Sequence, residues 1–370
     1  MQKLLLTTDA EFDGLAPSWR ALEQQLTQVL PFQTYDWNRC WWRTFAVRSL
    51  LRRDQLAIIA LYDQDRLVAL APLLISRIGI AGVTLYRYIR PFGSDPNLTE
   101  IRIPLALPGY QAALMQAVLD LQQQHSTGMS ECQLIADQAQ AEAALAQRPF
   151  LQALDQRTIP NFILPLAGDW EHFRIGLKRN IKESIRRCYN SLARAQLSPR
   201  LQVLQGRIAI SAQLDLFYTL HGVRAAAETT VKHPDYFLHP QHKQFIGALL
   251  DSPFAERMQL FCLHVGQNIV AVRLGFLMGD ELYLYYSGYD LAFAKYSVMT
   301  TLLVEVIRWS MEQKLQRINL SVGEDVSKTR WGPELTEYVE IQFVKDGWWR
   351  NRVIKTIIDF RKRRQSLIAD

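Results

Sequence analysis

Four stretches of this 370-residue chain carry residue types able to bind anions or move protons. LHGVRAAAE sets His221 and Arg224 three apart on one helical face, with Glu228 a turn beyond. An imidazole, titrating near ~6.5 when unperturbed, makes His221 a general-base candidate if that face lines a groove; a partly buried packing histidine fits the same letters. GLKRNIKESIRR winds Lys178, Arg179, Lys182, Arg186 and Arg187 around a helix. Arg179 and Arg186 offer planar forks to a phosphate or an anionic glycan, and a solvated basic face is the alternative.

ELYLYYSGYD alternates, which predicts Tyr283, Tyr285 and Ser287 on one strand face and Leu284, Tyr286 and Gly288 on the other. Tyr285 and Tyr289 are candidates for proton donation, although tyrosine is also a common strand packer. INLSVGEDVSKTRWG, Ile318 to Gly332, begins as a buried strand, meets a glycine and turns to charge. Glu324, Asp325, Lys328 and Arg330 beside Trp331 fit a solvated turn, a phosphate cradle or a catalytic edge.

Several chemistries lack their parts. There is no G-x-S-x-G elbow, no Walker loop and no G-x-G-x-x-G after a strand. His233, His239 and His242 cluster, but two prolines interrupt them and no acidic ligand pattern follows, so no metal is expected. Cys40, Cys132, Cys188 and Cys262 are scattered, which argues for a reducing compartment and against structural zinc. Lys plus Arg number 42 against 36 Asp plus Glu, a net charge of +6 that suits anionic partners without selecting one. The N-terminus lacks a signal peptide's apolar region, and no run reaches the roughly 18 apolar residues of a membrane span, so a cytoplasmic location is expected.

Positioning the four stretches calls for two mixed α/β domains. Leu56 to Ile75 reads as strand, polar turn at Asp63 to Asp65, and strand. Met258 to Leu277 repeats the pattern roughly 200 residues later, Ile269-Val270-Ala271 answering Leu67-Val68-Ala69. Each hairpin precedes an amphipathic helix and a strand: Tyr110 to Gln124 then Cys132 to Ala136, and Ser297 to Lys314 then Ile318 to Val322. PNFILPLAGD, with two prolines and a glycine, marks a boundary dividing 1–165 from 166–370. The second domain reads α-α-β-β-β-α-β-loop-β, from a helix at Trp170 to Ala195 and another at Ala212 to Ala227 through to the late strand EYVEIQFV.

That order resembles the GNAT acetyltransferase fold. LKRNIKESIRRCYNSL, FYTLHGVRA, IVAVRLGFLMGDELYLYYSGYDLAFAKYSVMTTLL and INLSVGEDVSKTRWG, with a looser match at FQTYDWNRCWWRTFA, resemble the cellulose-biosynthesis (CelD/BcsL-type) acetyltransferases with their Fem-like doubled architecture. The resemblance implies α/β (α+β mixed-sheet) tandem GNAT-like domains: a first one that is degenerate, structural or acceptor-side, and a second holding the donor site and a basic C-terminal helix. It implies acyl transfer from acetyl-CoA or another acyl-CoA, a co-substrate rather than a bound cofactor, to an amine or hydroxyl of a sugar, polysaccharide or cell-envelope precursor. The acyl-CoA would lie between strands Glu281 to Asp290 and Ile318 to Val322. Its pyrophosphate would meet the intervening helix start, where Lys295, Tyr296, Ser297 and Val298 fall, Lys295 as a cation and Ser297 as a cap. The usual R/Q-x-x-G-x-G/A turn is absent there. His221 or Glu324 would serve as base, Tyr285 or Tyr289 as acid for the thiolate, and strand N–H groups as oxyanion donors. Lys328 falls on the family's G…K step as an anion or acceptor contact, with Arg179, Arg186 and Arg224 on the substrate side and Trp331 as a wall.

Two rival functions keep this fold. Aminoacyl-tRNA as donor, as in Fem-type peptidoglycan enzymes, fits the basic excess and the missing glycine turn, although no coiled-coil arm is evident. A degenerate binding module in envelope assembly fits the missing turn as well. WWRNRVIKTIIDFRKRR sets Trp348, Trp349, Val353, Ile357, Ile358 and Phe360 beside a run of basic residues. Such a segment suits peripheral contact with the anionic inner face of a membrane, or a closing helix with a basic tail. DNA is not an expected partner.

Overall fold

The computed structural model describes residues 1–94, 98–125, 129–146, 151–227, 234–345, 347 and 351–360. Glu228, His233, Trp348, Trp349 and Arg361 to Arg364 lie outside the described residues. The chain forms two compact units: Met1–Ile159 together with the described residues from Glu337 on, and Pro160–Thr336.

The first unit contains β1 (Gln2–Leu6), β2 (Arg52–Leu56), β3 (Ile58–Asp63), β4 (Arg66–Ala71), β5 (Leu73–Ile80), β6 (Val83–Pro91), β7 (Leu105–Ala106) and β8 (Met129–Ala136). The second takes the end of β9 (Leu151–Pro165), then β10 (Pro199–Gln205), β11 (Met258–Val265), β12 (Asn268–Met278), β13 (Glu281–Tyr289) and β14 (Arg317–Val322). β15 (Glu334–Lys345) leaves the second unit and ends in the first.

In the first unit β1-β3-β4-β7 form one sheet, and β2-β5-β6-β8-β15 run side by side in another. The expected hairpin is there, turning at Gln64 with φ 54°. Its arms pass from one sheet to the other at Ala57 and Pro72, so β2 and β5 continue the pairing of β3 and β4. β6 and β8 run parallel, joined through the helix Gln111–Gln124. Phe12, Trp19, Trp37 and Trp41 are fully buried, with Phe92 stacked on both Trp41 and Trp42.

The division differs from a cut at 165/166, and the reason is strand pairing. Val339 to Val344 of β15 pair antiparallel with β8, which carries the late strand back to the N-terminal unit. The helix 351–360 follows it there, packing Ile354 and Ile358 against Tyr86 and Val344 while Val353 and Phe360 stay exposed. Among the described residues no helix is long and apolar enough to cross a membrane.

In the second unit the order is β10-β11-β12-β13-β14-β9, antiparallel except for β13 beside β14. The helix Val298–Glu312 links those parallel strands and packs on the basic helix Arg179–Arg194. Its apolar face joins Phe261, Leu282, Leu284, Ile318 and Leu320 in one core, each large aliphatic contributing about 1.5–3 kcal/mol by leaving water. The stretch read as one helix from Trp170 is two, Trp170–Gly176 and Arg179–Arg194, broken at Leu177 and Lys178. The edge strand β10 escapes sequence reading because its residues are half-buried without clean alternation.

Gly288 fixes how the helix Leu214–Ala225 lies on β13. A Cβ there would stand 2.3 Å from His221 N and from the Leu220 carbonyl carbon, both backbone atoms that cannot rotate away. Gly288→Ala is therefore expected to lower unfolding free energy by about 1–3 kcal/mol in urea denaturation. Wild-type stability in that variant would mean the helix is free to lift.

Candidate functional site

The parallel pairing of β13 and β14 is short. It covers Glu281, Leu282 and Tyr283 opposite Arg317, Ile318 and Asn319, then stops while both strands continue. Asn319 is fully buried; its Oδ1 accepts the Ser321 amide at 2.9 Å and its Nδ2 donates to Glu281 Oε1 at 3.2 Å. Ser321 takes φ 69°, and the register of β14 against β9 shifts between Asn319 and Val322. These side-chain bonds replace ladder bonds, turn β14 aside and open a V between the two strands.

Across the V, β13 carries its own irregularity. Two residues, Tyr285 and Tyr286, oppose one residue of β12 between the Gly275 and Arg273 pairings. The bulge breaks the expected alternation: Tyr285 packs on Phe276, while Tyr286 meets His221 and Phe237. Tyr285 is buried, whereas Tyr289 sits half-buried at the strand's open end.

His221 and Arg224 converge on Ser287. His221 Nδ1 lies 3.0 Å from the Ser287 carbonyl oxygen, and since a carbonyl only accepts, Nδ1 carries the proton. Nε2 is then the free lone pair, buried without a hydrogen-bond partner and 3.9 Å from Asp235. Burial lowers the imidazole pKa, with the Ser287 bond and Asp235 opposing, so the ring is neutral at pH 7. Phe217, Tyr236, Phe237 and Tyr286 surround it, which makes it a clamp between helix and strand as built here. Arg224 Nη1 donates to Ser287 Oγ at 2.5 Å, and Arg273 Nη2 approaches the same oxygen at 3.4 Å. Burial, then the Arg224 charge, pulls the Arg273 pKa down to about 10.

On the far side of the V the helix Val298–Glu312 begins after a 3-10 turn, Leu291–Tyr296. Ser297 occupies the N-cap position, but with φ 55° and no side-chain capping bond; the expected hydroxyl cap is not formed. Lys295 is exposed, its ammonium over the Tyr296 ring, and the Val298 side chain is buried in the core. The loop after β14 folds back here, with Arg330 Nη2 donating to Thr300 Oγ1 at 3.0 Å and stacking over Trp331. Arg330 Nε and Trp331 Nε1 are buried without hydrogen-bond partners. Trp331 is packed into the core.

In the same loop Lys328 reaches the Val322 carbonyl and Ser321 Oγ, so its charge braces the end of β14. Glu324 is exposed beside Gly323, whereas Asp325 is half-buried and caps the turn Val326–Thr329. Its carboxylate raises the pKa values of Arg224, Arg273 and Arg330 against the lowering by burial. Arg179 pairs with Glu183 on the basic helix and Arg186 is exposed; neither forms a hydrogen bond or ion pair with the Ser287 group. Sequence reasoning missed Arg273, Ser287 and Asp325 as a group. The available signal was Arg273 itself, a charge inside the apolar run IVAVRLGFLM.

The profile of the Acetyltransferase (GNAT) domain family matches residues 179–329, which contain the V, the intervening helix, Arg224 and Arg273. Comparison with curated proteins gives no match. Among solved structures the chain is similar to FemX, with TM-score 0.60 and 10% identity over 92% of this chain and 97% of that one. It is also similar to a conserved protein of unknown function from Bacteroides thetaiotaomicron, TM-score 0.52 and 13% identity over 91% and 99%. L-PGS from Bacillus licheniformis gives 0.51 and 12% over 90% and 97%. The chain thus carries a GNAT-type mixed α/β fold with a Fem-like structural neighbour.

Asn319→Leu keeps the volume but strands the Ser321 amide and a Glu281 oxygen, and is expected to cost about 1–3 kcal/mol in chemical denaturation. An unchanged midpoint would remove the clamp. For His221, burial disfavours the charged form in the folded chain. Its contribution to stability is present above the unfolded pKa of about 6.5 and is lost as pH falls through that value toward the lower folded one. Ring NMR should show His221 titrating below ~6.5; a midpoint at or above that value would contradict its burial.

Proposed function

We propose that the protein is an acyltransferase of the cellulose-biosynthesis type, moving an acyl group from acyl-CoA to an amine or hydroxyl of a sugar, polysaccharide or cell-envelope precursor. The observation that carries this is the V itself, where β13 and β14 part after Tyr283 and Asn319 beside the start of the Val298 helix. A thioester laid in that V would meet the edge of β13 that faces away from β12, where backbone N–H groups are the donors suited to a developing oxyanion. Its phosphates would reach the helix N-terminus, where the dipole and Arg330 favour an anion without the glycine-rich turn.

In the transfer, the acceptor's lone pair attacks the acyl carbon, the carbon–sulfur bond breaks, and the thiolate takes a proton. Tyr289, at the open end of β13, suits that donation better than Tyr285, which is packed on Phe276. Asp325 is the carboxylate nearest the arginine group in electrostatic effect and suits the acceptor's proton better than the enclosed His221. Aminoacyl-tRNA is the second donor to consider, because Arg186 and Arg187 stand exposed on the basic helix.

Acetyl-CoA at a hundred times its dissociation constant should raise stability by about 2.7 kcal/mol, read as an upward thermal shift. Arg330→Ala should weaken that binding at least tenfold while the unliganded melting temperature moves little. No shift with acetyl-CoA or a panel of longer acyl-CoA esters, alongside binding of aminoacyl-tRNA, would transfer the proposal to the second donor.

A further inference from the structure

The end of the β5–β6 hairpin turns core-type residues to the outside. The two strands pair as far as Ile80 opposite Val83, and Ala81 and Gly82 join them at φ 50° and 81°. Ile78, Ile80, Val83 and Leu85 are 39%, 63%, 62% and 52% exposed. Alongside, the chain turns into the edge strand β2 with the Ser49 amide donating to the Arg52 carbonyl, and Leu50 and Leu51 stand exposed on that turn. The Gly79 amide donates to the Leu51 carbonyl at 3.0 Å, which joins the two turns into one apolar tip.

The tip is built, and it is apolar even where a polar residue would fit best. A two-residue hairpin loop with positive φ at both positions ordinarily takes Asn-Gly or Asp-Gly, whereas here its first residue is Ala81. A Cβ on Gly79 would stand 2.0 Å from the Val83 carbonyl oxygen, so glycine there lets the arms close beside the turn. No Asp or Glu occurs from Arg48 to Arg53 or from Ser76 to Pro91. An exposed apolar end beside an edge strand invites aggregation unless something covers it.

Behind the tip runs a row of charge. Arg53 of β2 opposes Arg77 of β5, and Arg77 opposes Arg87 of β6, so three arginines stand in line on one face of the sheet. Like charges placed directly opposite one another destabilise a sheet. Their field reaches His125, whose pKa is lowered by burial and then by the Arg87 and Arg77 charges. From the Arg77–Arg87 pair to the Ile80–Val83 pair the strand advances three residues, about 10 Å. Interfacial segments sink their apolar side about 5–10 Å into the boundary between headgroups and acyl chains, so the spacing suits a bilayer. Arginines at the level of lipid phosphates and aliphatic side chains at the level of acyl chains complement an anionic membrane on both counts. A second copy of this chain would instead bring the same positive row against this one.

We infer that the β5–β6 hairpin and the Leu50 turn dock the first unit onto an anionic lipid bilayer, with Ile80 and Val83 entering the acyl boundary and Arg53, Arg77 and Arg87 meeting lipid phosphates. The hairpin lies outside the residues that match the GNAT profile, and the docking does not depend on the acyl-donor reading.

The test is co-sedimentation of the full-length protein with phosphatidylcholine vesicles, with and without phosphatidylglycerol. Wild type should pellet with the anionic vesicles, less so as salt rises, and weakly with phosphatidylcholine alone. Ile80→Asn combined with Val83→Asn should weaken binding by roughly tenfold or more, while any thermal shift with acetyl-CoA stays that of the wild type. Leu50→Ser, on the other turn, should weaken it several-fold and decides the matter if the double variant does not fold. Arg53→Gln combined with Arg77→Gln should remove the preference for phosphatidylglycerol. Wild type that pellets with neither vesicle, or equally with both, overturns the inference. Undiminished binding in the tip variants also overturns it, and would leave the basic helix 351–360 as the membrane contact. A dimer seen by sedimentation velocity without vesicles, and lost in the tip variants, would assign the surface to a second copy and overturn it as well.

Discussion

The cleft depends on Asn319. Two parallel strands with apolar faces would ordinarily pair to their ends, since every unmet backbone group costs energy. Asn319 offers the chain a different settlement: its amide serves Ser321 N–H and Glu281 at once, so β14 can turn away from β13 without stranding those groups. Glu281, whose pKa is raised by burial, is held in place by Asn319 and by Arg317 at 3.0 Å. The opening is therefore anchored by a closed polar network at its base, and its width follows from where that network stops the ladder.

What lies along the opening follows from two further irregularities. The bulge at Tyr285 and Tyr286 lets both rings serve the core while Ser287 reaches the arginines. Gly288 then admits the backbone of the Leu214 helix close enough for His221 to bond the Ser287 carbonyl. A regular strand would have spread these contacts over two faces. The left-handed Ser297 similarly redirects the chain into the Val298 helix, whose start the returning loop covers with Arg330.

Charge is distributed unevenly over this frame. Lys328 is engaged by the end of β14, the strand before its loop, and Arg179 by a neighbouring glutamate on the surface. Arg273 and Arg330 instead keep buried Nε donors without partners. The Nε groups of Arg90 and Arg102, whose guanidiniums pair with Asp54 and Glu340, are unmet as well, so this cost is one that the buried guanidiniums of the chain share.

The hairpins, the helix-then-strand order and the basic helix were legible in the sequence because they rest on local periodicity, and so was the mixed α/β tandem architecture. The loop after Ile318 stood out as a candidate because a buried strand ending in glycine and charge is unusual, and the sequence left a solvated turn, a phosphate cradle and a catalytic edge all open. The fate of individual residues was not legible. Glu324 and Asp325 are adjacent acids, and only the fold turns one to solvent and the other toward three arginines. His221 and Arg224 share a helical face, yet one is enclosed by aromatic rings and the other reaches Ser287, because Gly288 sets how near the helix lies. Periodicity determines which residues form an element and which side faces the core; bulges, positive φ angles and long-range pairing such as β15 with β8 decide which side chains meet. Those depend on contacts between residues far apart in the chain, and no local pattern encodes them.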